Sequence, residues 1–396
     1  MCSSDLFLDE DFEVFDNREN GARQALTVMS NSTVCRTIEP SGVTIFSLIS
    51  KRRTDEQMEL IKISPDYADE KLILPENPKQ VYFSPKNNTR GTLSWNTLRK
   101  WGVTDTQINE IYERGYFMQY HERATSITLI PSKAFLATLC RQIGCGKLEE
   151  GIEPLRDIYL ASKLRDAEPF IMVYRTNGRI GKAFGCFSTS FSHNPQTIAF
   201  EFKHELSKIS PVAIRSWRVN HFVSRIDFMF SELSQRIGGI KLTPGVRLIM
   251  SDVGDASYSL QNVIFLNGGM VLFNKAVSKR HLGKLDVKEM TETYQKNIKD
   301  EFNVVFDSLK KMEQKPIDNV KKAIIEIMKS IGFSSAYGVQ NASAFKKQYI
   351  KNMKENPGTE FDAVKFVMRI PGMIRNSASL QQFEIVAEAA GKALKP

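Results

Sequence analysis

The segment MVYRTNGRIGKAFGCF, residues 172 to 187, sets Arg175, Arg179 and Lys182 among the rings of Tyr174, Phe184 and Phe187, around an Asn-Gly pair. Asn-Gly between two apolar runs is a hairpin signal, because both residues tolerate the positive φ that a tight two-residue turn requires. Cations meet phosphates and aromatic rings stack on any base, which is how sequence-tolerant single-strand binders hold their ligand. A second stretch, IRSWRVNHFVSRIDF, repeats the recipe with Arg215, Trp217, Arg218, His221, Phe222 and Arg225, and a third, NKAVSKRHLGK, adds Lys275, Lys279, Arg280 and Lys284. The plainer alternative for each is a strand whose rings face the core and whose cations face water. Taken together they predict one binding face, with Arg175, Arg179, Lys182, Arg218, Arg225, Lys279 and Arg280 on phosphates and Tyr174, Phe184, Trp217 and Phe222 on bases.

Catalytic patterns are missing from the sequence. It has no G-x-S-x-G, no G-x-x-x-x-G-K-[ST], no H-E-x-x-H and no G-x-G-x-x-G after a strand. The five histidines never form a close pair, and the five cysteines are an odd, scattered set that describes reduced thiols rather than a disulfide framework. Cys140 and Cys145 lack a second pair at zinc spacing. Asp252 and Asp255 on a Gly-containing turn suit a hard cation, or simply cap the turn backbone. His281 lies among Lys279, Arg280 and Lys284 and reads as part of a basic loop. The expectation is a protein that is not an enzyme and takes no metal and no cofactor.

The elements that position these residues follow from periodicity. Residues 1–90 form a β-rich segment behind an acidic start expected to be mobile, residues 91–284 an α+β core domain, and residues 285–396 a basic, all-helical C-terminal domain. In SWNTLRKWGVTDTQINEIYERG, Gly102 separates two short helices and Thr104 caps the second. This is either a helix-turn-helix or a packed helical hairpin, and the acidic Asp105, Glu110 and Glu113 disfavour DNA. PSKAFLATLCRQIG predicts a helix with Pro131 in its first turn. From about 168 to 280 the period becomes two, with β-rich runs PFIMVYRT, IGKAFGCFSTS, TIAFEFKHEL, VAIRSWRVNHFVSRIDFMF, GVRLIMSD, SYSLQNVIFL and GMVLFNKAV, and a helical reading for SELSQRIGG. The fold class predicted is α+β, a central mostly antiparallel sheet decorated by helices.

The chain of 396 residues carries 54 Lys plus Arg against 45 Asp plus Glu, a net charge of +9. Residues 275–396 hold 22 cationic and 14 anionic side chains, so most of the excess sits in the last third. That balance favours an anionic partner over an acidic small substrate. The first twenty residues are acidic and do not make a cationic signal peptide, and no run of eighteen apolar residues predicts a membrane span. The expected setting is the cytoplasm.

From residue 94 onward the helix LIPSKAFLATLCRQIGCG, the strand pair around GRIGKAFGCFSTSF, and VRLIMSDVGDASYSLQNVIFLNGGMVLFNKAVSKRHLG followed by a long helix resemble a phage- and plasmid-associated family, the domain of unknown function 932. Asn267, Gly268, Arg280 and His281 stand where that family carries its Asn-Gly strand end and its basic residue before His. The resemblance implies a protein of a phage or mobile element in a bacterial cytoplasm, near DNA-handling genes. Residues and resemblance together predict non-catalytic nucleic-acid binding, single-stranded DNA first, in replication, recombination or transcription. The alternative is an interaction protein that docks on a polymerase or host defence protein through its C-terminal helices. Salt dependence separates the two.

Overall fold

The computed structural model describes residues 13–16, 18–48, 56–63, 89–122, 125–145, 155–176, 180–254, 256–267, 269–279, 284–375 and 377–394. A short strand, β1 (Glu13–Asp16), precedes a helix, α1 (Glu19–Ser32), whose Ala22, Leu26 and Met29 are buried. That helix corrects the strand-and-loop reading of the first 75 residues: the three apolar residues recur at helical spacing, and the polar residues between them conceal the stripe. Strands β2 (Thr33–Ile38), β3 (Val43–Leu48), β4 (Gln57–Ile63) and β5 (Thr89–Ser94) follow.

Ser94 accepts the Thr97 N–H and opens α2 (Trp95–Trp101), which Gly102 ends at φ 99°. Thr104 and Gln107 then form a capping box that opens α3 (Asp105–Arg114). Side-chain oxygens meeting the orphan N–H groups, with a glycine in the left-handed region between, explain why these boundaries lie where the sequence predicts them. Next come β6 (Tyr116–Glu122), β7 (Thr125–Pro131), α4 (Phe135–Gln142), α5 (Leu155–Arg165), β8 (Phe170–Thr176) and β9 (Ile180–Phe187). Pro131 thus ends a strand instead of opening a helix. The Asn177 and Gly178 turn lies outside the described residues.

TIAFEFKHEL is not a strand but α6 (Ile198–Leu206). Ile198, Phe200 and Phe202 alternate, yet the residues actually buried are Ile198, Ala199, Phe202 and Leu206, one side of a helix. The long run after it is a hairpin of β10 (Ala213–Asn220) and β11 (Ser224–Met229), turned where Asn220 Oδ1 accepts the N–H groups of Phe222 and Val223 at 3.0 and 2.8 Å. In SELSQRIGG only Ser231–Leu233 coils, as a single 3₁₀ turn, before β12 (Gln235–Ile237). Long strands β13 (Ile240–Met250), β14 (Tyr258–Leu266) and β15 (Gly269–Lys279) lead to the C-terminal region. That region holds α7 (Val287–Gln314), β16 (Pro316–Ile317), α8 (Val320–Ser330), α9 (Phe333–Tyr337), α10 (Val339–Phe345), β17 (Gly358–Thr359), α11 (Glu360–Ile374) and α12 (Leu380–Gly391).

The protein is α+β, and among the described residues the strands form two large sheets and one small pair, β16 with β17. An eight-stranded sheet runs β2-β8-β9-β7-β6-β3-β4-β5, antiparallel except for the parallel pair β7 and β9. A seven-stranded antiparallel sheet runs β1-β10-β11-β13-β14-β15, with β12 added on β13. The eight-stranded sheet is apolar on both faces: Tyr116, Met118 and Leu129 pack with α4 and α5, and Phe117 and Ile130 pack with α2 and α3. The seven-stranded sheet buries Trp217, Ile226, Val246 and Leu260 in a core continuous with α1, α6, α7, α8, α11 and α12.

Domain boundaries therefore differ from those the sequence predicts. The C-terminal helices share the core of the seven-stranded sheet rather than forming a unit of their own, because their apolar stripes need that sheet face to be buried. Likewise β2 to β5 belong with β6 to β9, and β1 belongs with β10 across the molecule.

Candidate anion-binding pocket

The ring-and-cation residues do not share an exposed face. Tyr174, Phe184 and Trp217 are 1%, 3% and 2% exposed, which leaves no ring surface for a base. Tyr174 packs with α4 and α5, while Phe184 packs with Val173 and Val253 and meets Phe222 edge-on at 5.5 Å. Trp217 sits in the large core and donates its indole N–H to Arg18 O at 2.9 Å. Arg175 and Lys182, cross-strand partners on β8 and β9, are buried too. Lys279 is ion-paired with Glu289, and Arg179 and Arg280 lie outside the described residues. Strands β8 and β9 are buried along nearly their whole length, because both faces of the sheet are covered, and that is what the sequence conceals.

A buried cation needs a partner, and each has one. Lys182 Nζ donates to Glu110 on α3 at 3.1 and 3.2 Å, so the second helix of the pair is tied to the sheet and is not a free DNA-reading helix. Arg175 donates to Asp252 Oδ1 at 2.7 Å, to Thr33 Oγ1 at 3.0 Å and to the His221 carbonyl at 2.8 Å, and lies over the Phe184 ring. Thr33 and Gln196 donate to the same carboxylate at 2.6 and 2.8 Å. Burial would raise the Asp252 carboxyl, but the Arg175 charge and these hydrogen bonds outweigh it and hold the group below the usual carboxylate range. His221, closed in by burial first and then by Arg175 and Lys182, is pushed down to about 2 and is neutral. This centre joins the eight-stranded sheet, through Arg175, to the seven-stranded one, through Asp252 and His221.

Arg218 and Arg225 go elsewhere. They are cross-strand partners on β10 and β11, and one step along the same face Ser216 pairs with Asp227, which pairs in turn with Arg247 on β13. A register irregularity between Ile214 and Ser216 turns the extra residue, Arg215, outward, where it is exposed. Over this face reaches α12, with Phe383 packed among Val263, Phe265, Met270 and Leu272. Its next residue, Glu384, meets Arg225 Nε at 2.9 Å, Arg247 Nη1 at 3.2 Å and Arg218 Nη1 at 3.3 Å, all at one oxygen. Asp227 is held by Arg247 through two bonds of 2.7 and 3.0 Å and by the Ser216 hydroxyl at 2.6 Å.

Between the sheet and the two last helices lies a cavity of about 140 Å³, lined by Arg215, Arg218, Arg225, Arg247 and Arg375 together with Asp227 and Glu384, and by Phe265, Phe383, Gly269 and Gly372. Five guanidiniums face two carboxylates, an excess of three positive charges. Burial works against the Arg247 charge, but Asp227, Glu384 and Glu388 more than offset it and raise its pKa, so the floor of the cavity stays cationic. The lining contains no His, Cys or Lys. Among the described residues no group of three His, Cys, Asp or Glu side chains is placed to hold a metal. Planar guanidinium forks in a partly dry recess are suited to binding an oxyanion, phosphate above all.

Sequence reasoning found Arg215, Arg218 and Arg225 and missed Arg247, Arg375, Asp227 and Glu384. The available signal was a charge inside an apolar run, in GVRLIM and in QQFEIVAEAA, since such a charge must meet an opposite one. No protein-family model, no curated protein and no solved structure matches this chain, so the reading of the pocket rests on its geometry. No helix among the described residues is long and apolar enough to cross a membrane.

Proposed function

We propose that this chain is a non-catalytic nucleic-acid-binding protein of a phage or mobile element that holds a single strand by phosphate at the arginine-lined pocket. One observation carries the reading: five arginines from three strands and the end of α11 converge on one cavity whose two carboxylates leave an excess of three positive charges. The overall charge of +9 would draw a polyanion toward it. A recess between a sheet and a helix admits an extended, bendable strand better than a duplex, whose phosphates ride on a stiff cylinder. Three of the four expected stacking rings, Tyr174, Phe184 and Trp217, are buried in the core and Phe222 is half-buried, so the contact supported here is with phosphate and is independent of sequence. Docking of a protein partner on the C-terminal helices draws less support, because their apolar faces are buried and the large apolar residues they expose, Val304, Ile325, Val339 and Ile385, are few.

A mobility-shift assay on matched single-stranded and duplex oligonucleotides at two salt concentrations tests it. The expected result is retardation of the single strand at low salt, steep loss at high salt, and weakening in Arg215→Ala/Arg375→Ala. No retardation of either oligonucleotide at low salt would end the proposal.

A further inference from the structure

The size of the pocket narrows what part of a strand it can take. A small-molecule site usually offers roughly 300 Å³ or more, so a cavity of about 140 Å³ accommodates a phosphoryl group more readily than a whole nucleotide. Its floor is Arg247 and Asp227, both buried. One wall lies where the start of β15 meets α11, for a Cβ on Gly269 would sit 3.3 Å from the Gly372 nitrogen. A phosphodiester in mid-chain has to enter such a recess and leave it again with a nucleoside on either side. A terminal phosphomonoester needs only one tether.

Charge points the same way. A diester carries one negative charge, whereas a monoester carries about −1.5 to −2 near neutral pH and presents three acceptor oxygens. Arg218, Arg225 and Arg247 already converge on a single carboxylate oxygen of Glu384. Three phosphoryl oxygens would give each guanidinium its own acceptor, with the exposed Arg215 and Arg375 also lining the pocket. The Glu384 carboxylate already sits where these three guanidiniums meet.

Resting on the nucleic-acid reading above, we propose that the pocket formed by Arg215, Arg218, Arg225, Arg247 and Arg375 is a receptor for the terminal phosphomonoester of a nucleic-acid strand. The same chemistry is offered by free phosphate and by nucleoside monophosphates, and the test separates them. Fluorescence anisotropy would compare one labelled single strand with a 5′-phosphate, a 3′-phosphate or hydroxyls at both ends, and thermal shift would follow inorganic phosphate and a nucleoside monophosphate. One phosphorylated end should bind about tenfold tighter than the hydroxyl-ended strand, an advantage abolished in Arg215→Ala/Arg375→Ala and by competing inorganic phosphate. Arg215 is exposed, so Arg215→Lys, which keeps the charge but loses the fork, provides a second variant and should lose part of the advantage. Equal affinity for all three strands, still steeply salt-dependent, overturns the terminal-phosphate assignment and leaves nucleic-acid binding standing. Stabilisation by the small phosphates with no binding of any strand overturns the nucleic-acid reading instead, and no response to any of these ligands overturns both.

Discussion

Arg175→Met separates the buried joint from a surface phosphate contact. Methionine approximates the length of the arginine stem and removes the charge, so Asp252 stays buried with only Thr33 and Gln196 donating to it. Four interactions disappear: the bonds to Asp252 at 2.7 Å, to His221 O at 2.8 Å and to Thr33 at 3.0 Å, and the stack on Phe184. Removing one member of a buried ion pair typically costs about 3–5 kcal/mol. With a urea m-value near about 3 kcal/mol/M, that moves the unfolding midpoint down by roughly 1–2 M. The loss should also depend on pH. In the native chain the Asp252 carboxyl is held below its ordinary value, so its contribution is present at neutral pH and is lost only as pH falls below the unfolded value, about 3.9. Without Arg175, burial dominates and raises the carboxyl, so protonation relieves the variant as pH falls and the gap to wild type narrows from pH 8 to pH 5. Urea unfolding at both pH values, with oligonucleotide affinity measured in parallel, is the assay. A loss under about 1 kcal/mol would contradict a buried joint. A gap that does not change with pH would do the same, as would weakened nucleic-acid binding at full stability.

Two further outcomes are expected. Glu384→Gln removes the carboxylate at which three arginines meet; it should cost about 1–3 kcal/mol of stability in urea unfolding and tighten binding of a terminal phosphate about tenfold, and weaker binding would contradict the place assigned to Glu384. His221 is neutral in the fold, pushed down to about 2, while the unfolded chain protonates it near about 6.5; stability should therefore fall as pH drops below that value, by up to about 1.4 kcal/mol per unit from this group. His221→Phe, which keeps a ring beside Phe184 and Phe222, should flatten that fall, and equal urea midpoint slopes for variant and wild type between pH 7.5 and 5.5 would count against it.

How much of this was legible depended on how local the determining residues are. The hairpin of α2 and α3 could be read because Ser94, Gly102 and Thr104 act on their immediate neighbours. Strands β8, β9 and β13 to β15 could be read from β-branched and aromatic runs bounded by turn residues. The helix α6 escapes such a reading because its apolar residues fit both periods, and only the packing of Ala199 and Leu206 decides between them. The pocket was half legible for a different reason. Arg218 and Arg225 stand close in sequence, whereas Glu384 reaches them from the last helix. Burial of Arg175 and Lys182 likewise depends on Asp252 and Glu110, remote residues that no local pattern pairs with them.

The placement of β1 bears on the order in which the molecule can be completed during synthesis. All strands of the eight-stranded sheet lie between residues 33 and 187, so that sheet can close as soon as β9 has left the ribosome. Residues 13–16, made before any of them, have no strand partner until 217–220 appear. At roughly 5–20 residues per second, about 200 residues of synthesis amount to a wait of about 10–40 s. Arg175 waits in the same way for Asp252, so the charged joint between the sheets is sealed only after the first sheet is already folded. The nascent chain therefore carries an unpaired strand through about half of its synthesis and a buried-to-be cation through the 77 residues that separate Arg175 from Asp252, and a strand-binding chaperone would find its target in that interval.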